Sequence, residues 1–580
     1  MAIKLLSDNT VPAPSGGSVF SRHKKLLLSL AATLFIGSHI ITHKVADIST
    51  FSVGQFDNEP LCGKINPLVP SFRKSVDLIL HDLEYKKASI KRLSGAVKIP
   101  TVVQDINPDP NEDPDFYANF PKFHEYLKAT FPLVHENLKL ELVNKFGLLY
   151  TWKGANDTMK PVLLMSHQDV VPVNEETWDE WKFPPFSGHY DPETDTVWGR
   201  GSNDCKNLVI AQFEAIERLL HDGYTTERTV MLALGFDEES SGQWGAGHMS
   251  SFLQERYGEN GIFMIVDEGE GVIQVDENVF VATPVNTEKG YVDVEVTLWG
   301  HGGHSSVPPD HTNIGIIAEL ITLLEAHPFD YDFEVDNPVY GLLSCKAEHA
   351  RDMSDDIRKI ILGAARDNVK KQALNEWISN DKLLRDLIRT TLAVDIIHGG
   401  VKSNALPEQV KFVVNHRIDI HSSINATVEN DLKFARQIAE KHNFGLSLNG
   451  EMLVPETENG YINLDVLKPL APAPVSPTSG PAWDILAGTA QHLFENDIFK
   501  NDPEKEFYVT TGLSSGNTDT KWYWPLSENI YRFIGAVVPE SSLKSEHSVN
   551  EHMSMDAHLS AIAFVYEFIV NINEYGADQL

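Results

Sequence analysis

The chain has 580 residues, 42% of them apolar, which exceeds what one hydrophobic core usually supports and calls for two or more domains. Its 48 Lys and Arg stand against 82 Asp and Glu, a formal net charge of −34, and this speaks against nucleic acid as a partner because phosphate binding needs a basic surface. Three cysteines, Cys62, Cys205 and Cys345, are too few and too scattered for a disulfide framework or a thiolate zinc cluster; at most one pair forms and one thiol is left over.

In chain order, residues 1–25 end in Arg22, His23, Lys24 and Lys25, and residues 26–42 are an apolar run. The basic flank predicts a cytosolic tail, a transmembrane signal anchor and a body on the lumenal side. At 1.5 Å per residue the run spans about 25 Å, a modest membrane helix. Residues 43–75, with Pro60, Pro67 and Pro70, read as a stalk. Under this topology Asn156 and Asn425 are glycosylation acceptors, each followed two residues later by Thr.

A helix is predicted from near Ser75, with Val76, Leu78, Ile79 and Leu83 on one face. Apolar strands follow at 148–152, 162–165, 229–236 and 262–266, with a helix at 208–220. Strands alternating with helices predict an α/β catalytic domain around a mostly parallel central sheet. Its first part is placed at residues 76–288. Beyond Lys289 the texture changes: residues 291–298 alternate, a helix is predicted at 313–326, and a second strand at 410–420 precedes another helix. This is a smaller α+β unit inserted at 289–454, of lid or dimerisation type, in which 330–390 is a helix-rich elaboration. The catalytic domain resumes at 455–580.

Five side chains able to hold metal stand in apolar or Gly-rich settings: His167 in MSHQDVVPV, Asp204 in WGRGSNDCKN, Glu239 in GFDEESSG, Asp267 in MIVDEGEG and His547 in SEHSVNEHM. Two imidazoles and three carboxylates make a ligand set that zinc accepts, and one carboxylate can span two ions. His167 and Asp169 share one face of an extended segment. The adjacent Glu238 and Glu239 diverge, so one carboxylate can bind metal while the other faces substrate. Read singly, each has a plainer explanation: a buried His–Asp pair, an N-cap at Asp204, a solvated acidic turn at Glu238.

Order and local sequence together resemble the M20 family of metallopeptidases, and within it the fungal vacuolar Gly-X carboxypeptidases, through FPPFSGHYDPETD and GHGGHSSVPPDH as well as the ligand motifs. The resemblance runs from about Ser75 to the C-terminus. It implies two Zn2+ ions per subunit bridged by Asp204, with His167 and Asp267 on one and Glu239 and His547 on the other. Glu268 and Glu270 compete with Asp267, and His552 with His547. It also implies Glu238 as general base, Asp169 as the partner that orients His167, and a cis Asp204–Cys205 peptide.

The same resemblance assigns substrate contacts to His304 on the inserted unit, with His301 its less favoured neighbour, and to Asn404, Arg417 and Gly516. An arginine fork suits a free C-terminal carboxylate. The expected activity is hydrolysis of the last peptide bond of small peptides in a vacuolar lumen, from a type II membrane precursor, with a homodimer as one arrangement the lid allows. An N-acyl amino-acid hydrolase is the alternative activity, and a membrane-bound binding protein without catalysis the alternative class. The Gly-rich segment at 300–303 lacks the Lys and spacing of a phosphate loop, so nucleotide binding is rejected.

Overall fold

The computed structural model describes residues 60–575. The predicted membrane run therefore lies outside the described residues. At the centre is an eight-stranded sheet in the order Lys139–Val143, Gly147–Trp152, Val230–Gly235, Val162–His167, Met264–Glu270, Ile530–Phe533, Val285–Glu288, Gly512–Ser514. Its four middle strands, from Val230–Gly235 to Ile530–Phe533, are parallel, whereas the neighbours on both sides bring in antiparallel pairs. "Mostly parallel" thus describes the centre of the sheet. Strands Val162–His167 and Val230–Gly235 are buried along their whole length, which is why they read as unbroken apolar runs.

Alternate side chains of this sheet enter two cores. Leu148, Tyr150 and Leu164 pack beneath the helices Lys206–His221, Pro481–Leu493 and Met555–Glu574, and Leu149, Leu163 and Met165 face the helix Ala246–Tyr257. Each fully buried aliphatic side chain contributes about 1.5–3 kcal/mol. Met555–Glu574 is apolar and long enough to cross a membrane, but 94% of its 18-residue apolar stretch is buried inside the protein, so here it is a core helix.

The inserted unit is a six-stranded sheet, in the order Thr391–Gly399, Gln409–Ile418, Gly290–Gly300, Gly460–Leu470, Gly445–Leu448, Glu451–Val454. The helices Asn313–Ala326 and Ile424–His442 bury one of its faces. Because Gly460–Leu470 belongs to this sheet, the unit ends at Leu470 rather than at 454, and Ala473 rejoins the catalytic body by bonding to Glu288 O. The helix-rich elaboration comprises Val339–His349, Asp355–Gly363, Asn368–Ser379 and Lys382–Ile388. Its core includes Leu513 from the catalytic sheet, so it bridges the two units.

Residues 60–75 depart from the stalk expectation. Leu68 N bonds to Gly488 O, Ser71 N to Glu574, Arg73 pairs with Asp497 and Glu567, and Cys62 forms a disulfide with Cys345. The segment is fastened to the catalytic body by its polar groups and to the helix-rich elaboration by its cysteine. The predicted helix near Ser75 is two helices, Val76–His81 and Leu83–Val97, the second capped by Asp82.

Candidate metal centre

The C-terminal ends of parallel strands are where open α/β sheets gather side chains from distant sequence positions. His167 is the last residue of Val162–His167, Glu238 and Glu239 open the turn three residues beyond Val230–Gly235, and Glu268 lies on Met264–Glu270. Asp204 precedes the helix Lys206–His221, and the peptide joining it to Cys205 is cis. His547 arrives from the far end of the sequence with a positive φ of 52°.

Asp204 stands between two groups. Its Oδ1 is 3.0 Å from His167 Nε2, and its Oδ2 is 2.9 Å from His547 Nε2. On the first side Glu268 Oε2 lies 3.2 Å from His167 Nε2; on the second, Glu239 Oε2 lies 2.9 Å from His547 Nε2. His547 Nε2 is buried and, despite these contacts, hydrogen-bonds to neither carboxylate, and Glu239 Oε1 is a buried oxygen without a partner. His167 Nε2 does hydrogen-bond to Asp204 Oδ1, but a buried imidazole nitrogen and a buried carboxylate oxygen left without partners on the His547 side, among so many converging donor atoms, fit a site built for a cation.

The backbone around the ligands is held by other buried carboxylates. Asp169 Oδ2 accepts Glu239 N at 3.0 Å, while its backbone O hydrogen-bonds with His167 Nδ1 at 3.0 Å and its Oδ1 lies 3.3 Å from the same nitrogen, so one residue orients a member of each group. Glu551 accepts Asn203 N and Asp204 N and pairs with Arg200 at 2.6 Å, fixing the turn that presents Asp204. Asn203 also donates to Glu546. Lys206 points away, donating to Ala96 O and Ile99 O, and burial pulls it down to about 7.

Electrostatics follow from this crowding. Burial, then the charge of Glu268, pushes Glu238 well above the usual carboxylate range, and burial with Asp204 beside it raises Glu239 to about 7. Burial also works against Asp204, but the imidazoles of His167 and His547 set against its two oxygens hold it well below the ordinary value. Burial opposes the His547 imidazolium too, yet Asp204 and Glu239 push it up to about 12. Cys205, 3.3 Å from His167 N, is raised first by burial and is held as a thiol.

The structure brings together His167, Asp169, Asp204, Glu239 and His547, and puts Glu238 in the field of Glu268 and His167. Asp267 is not on the His167 side. It pairs in register with Arg532, its Oδ2 is buried without a partner, and as the strand neighbour of Glu268 it points to the opposite face. Glu268, a rival on sequence grounds, occupies the position expected for Asp267. His552 stacks on Trp198 at 4.4 Å instead of joining the centre.

The substrate-contact candidates are spread over the inserted unit and its seam. His304 and Asn404 are exposed at the short antiparallel pair of Gly303–His304 and Ala405–Leu406, two segments far apart in sequence, where Ser305 N bonds to Asn404 O. Arg417 is on the strand Gln409–Ile418 of the six-stranded sheet and Gly516 is in the loop after Gly512–Ser514. Asn425 is exposed in the first turn of Ile424–His442, and Asn156 is half-buried in a surface turn where its Oδ1 accepts from Thr158. Sequence reasoning missed Glu551 and Asp519. Asp519 is buried against Gly235 and Gly242, where no Cβ would fit.

Relatives of this chain are plain. Carboxypeptidase S of Saccharomyces cerevisiae is 58% identical over 96% of this chain and 98% of its own. The human N-fatty-acyl-amino acid synthase/hydrolase PM20D1 is 31% identical over 84% of this chain and 88% of its own. Among solved structures, human carnosine dipeptidase 1 superposes with a TM-score of 0.59 at 12% identity, covering 87% of this chain and all of that one, a likeness of fold. The model of Peptidase family M20/M25/M40 matches residues 163–571, a span holding every residue of the centre, and the chain belongs to that family.

Proposed function

We propose that the protein is a di-zinc carboxypeptidase that cleaves the C-terminal peptide bond of small peptides of Gly-X type. The observation that carries this reading is Asp204, whose two oxygens serve two opposed groups, His167 with Glu268 and His547 with Glu239. Two zinc ions would be held there, with Asp204 shared. When bound they would supply Lewis acidity, lowering the pKa of water and polarising the scissile carbonyl.

The protein's own part is proton handling and orientation. Glu238, held high by burial and by Glu268, takes the proton of the attacking water and hands it to the leaving amine. Asp169 keeps His167 and the Glu239 backbone in place. Arg417 and Gly516 take the substrate's terminal carboxylate, and His304 with Asn404 acts from the inserted unit. Since His304 and Asn404 are both exposed, lid closure or a second copy of the chain as homodimer partner would bring them to a substrate.

For location we propose the vacuolar lumen, reached as a type II precursor whose anchor is the apolar run at 26–42, with glycans on Asn156 and Asn425. Support comes from the vacuolar resemblance, the basic flank and the surface positions of both triplets. The second reading, hydrolysis of N-acyl amino acids, is favoured by the 31% identity to the human N-fatty-acyl-amino acid synthase/hydrolase. A non-catalytic binding protein is disfavoured because Glu238 and a complete ligand set are present.

The test compares an N-blocked Gly-Leu dipeptide with N-acyl amino acids on the zinc-loaded enzyme and on Glu238→Gln. The peptide should be the better substrate. Glu238→Gln should keep both ions while losing about 100- to 10,000-fold in kcat, since an amide cannot accept the proton. Near-normal turnover by that variant would remove the base assignment, and preference for the acyl amino acids would favour the second reading.

A further inference from the structure

Arg417 stands where the two sheets meet. Its strand is part of the inserted unit, in register with Tyr291, and its guanidinium lies 4.9 Å from the centroid of the Tyr291 ring. Burial pulls the group below its ordinary pKa, with Tyr291 and Asp293 working against that fall. A guanidinium has five N–H donors. Among the described residues the Arg417 side chain makes one hydrogen bond, from Nη1 to Asn517 Oδ1 at 3.3 Å.

Asn517 belongs to the catalytic body and adjoins Gly516. Its amide is oriented from the other end, because Nδ2 donates to Lys289 O at 2.7 Å, which leaves Oδ1 facing Arg417. Both flanks of this bond are clamped. Lys289 sends its Nζ to Asp386 O and Arg389 O and its N–H to Ser514 O. The next residue, Thr518, binds Glu288 through N and Oγ1 at 3.0 and 2.9 Å, and Glu288 pairs with Arg532 at 3.0 Å in the interior. The loop is held by buried charge on one side and by the start of the inserted unit on the other.

We infer that Asn517 is a positioning residue for substrate specificity: it steers the Arg417 guanidinium across the seam toward a substrate's terminal carboxylate while leaving its charge unspent. This rests on the carboxypeptidase reading above. A neutral amide oxygen fixes the direction of the fork without forming an ion pair. A carboxylate in the same place would pair with Arg417 and compete with the substrate. Asn517 also couples the alignment to lid geometry, since the same amide holds the backbone of Lys289, one residue before the lid strand Gly290–Gly300 begins.

The experiment uses zinc-loaded wild type, Asn517→Asp and Asn517→Ala on N-blocked Gly-Leu and on its C-terminal amide. Wild type should strongly favour the free acid. Asn517→Asp should raise KM for the acid about tenfold or more with kcat within about twofold, and Asn517→Ala should give a smaller rise of the same kind. KM for the amide should stay unchanged in both, a split that a merely structural role would not produce. Should Asn517→Asp fail to fold, Asn517→Ala carries the same split. Equal losses on acid and amide, or an unchanged KM for the acid, would overturn the assignment. Wild type that does not discriminate acid from amide would instead fail the carboxypeptidase reading, and this inference with it.

Discussion

At the scale of single residues, the choice between Asp267 and Glu268 turns on one property of a strand, that neighbouring side chains point to opposite faces. Glu268 reaches His167 at 3.2 Å; Asp267 lies opposite Arg532. Glu268→Gln should therefore weaken zinc binding on the His167 side, by about 10- to 100-fold or more, with the His547 side still loaded. Asp267→Asn should keep both ions. Metal titration of the two variants decides it, and the reverse pattern would restore Asp267. The string MIVDEGEG showed that a carboxylate ends this strand, but which of two adjacent ones faces inward depends on strand register, and register is set by distant partners. His547 was separable from His552 for a comparable reason only once Trp198 was seen to hold the latter.

At the scale of elements, the long periodic segments were legible because their burial is local. Asn313–Ala326 begins and ends where its pattern predicts, and Gln409–Ile418 alternates buried and half-buried positions as its residues do. The docking of residues 60–75 was not legible, since its partners are hundreds of residues away: Cys62 bonds to Cys345 across a sequence separation of 283, and Glu348 accepts both Leu61 N and Cys62 N. Closing so long a loop constrains the unfolded chain, and loss of such a bond costs about 2–5 kcal/mol. A Cys62→Ser, Cys345→Ser double variant should melt at a lower temperature. It should also become open to trypsin at Lys64, Arg73 or Lys74 while retaining dipeptide turnover, because the bond lies in the elaboration and not at the centre. An unchanged melting temperature together with an unchanged digestion pattern would show that the ion pairs of Lys64 and Arg73 hold the segment alone.

At the scale of the whole molecule, the α/β body, the inserted sheet and the family were all readable, whereas the limits of the insertion were not. A sequence pattern does not say which sheet a strand joins, and Gly460–Leu470 joins the inserted six-stranded sheet. Folding gathers many carboxylates into one interior centre, and without metal that centre prefers to keep protons. Glu239 rises from an ordinary value of 4.5 to about 7, and His547 rises from 6.5 to about 12. Both folded-state values lie above the unfolded ones, so the metal-free native state binds more protons than the unfolded chain. Its stability from these groups is complete below the unfolded values and is lost as pH rises, through about 4.5 to 7 for Glu239 and above about 6.5 for His547. Metal binding runs the other way, because the ligands must shed those protons before they coordinate. The gap in melting temperature between zinc-loaded and chelated protein should therefore widen from about pH 5 to about pH 8. Thermal denaturation of both forms across that range measures it directly. A gap that is constant, or that narrows with rising pH, would mean that the two histidine groups are not the place where metal replaces protons.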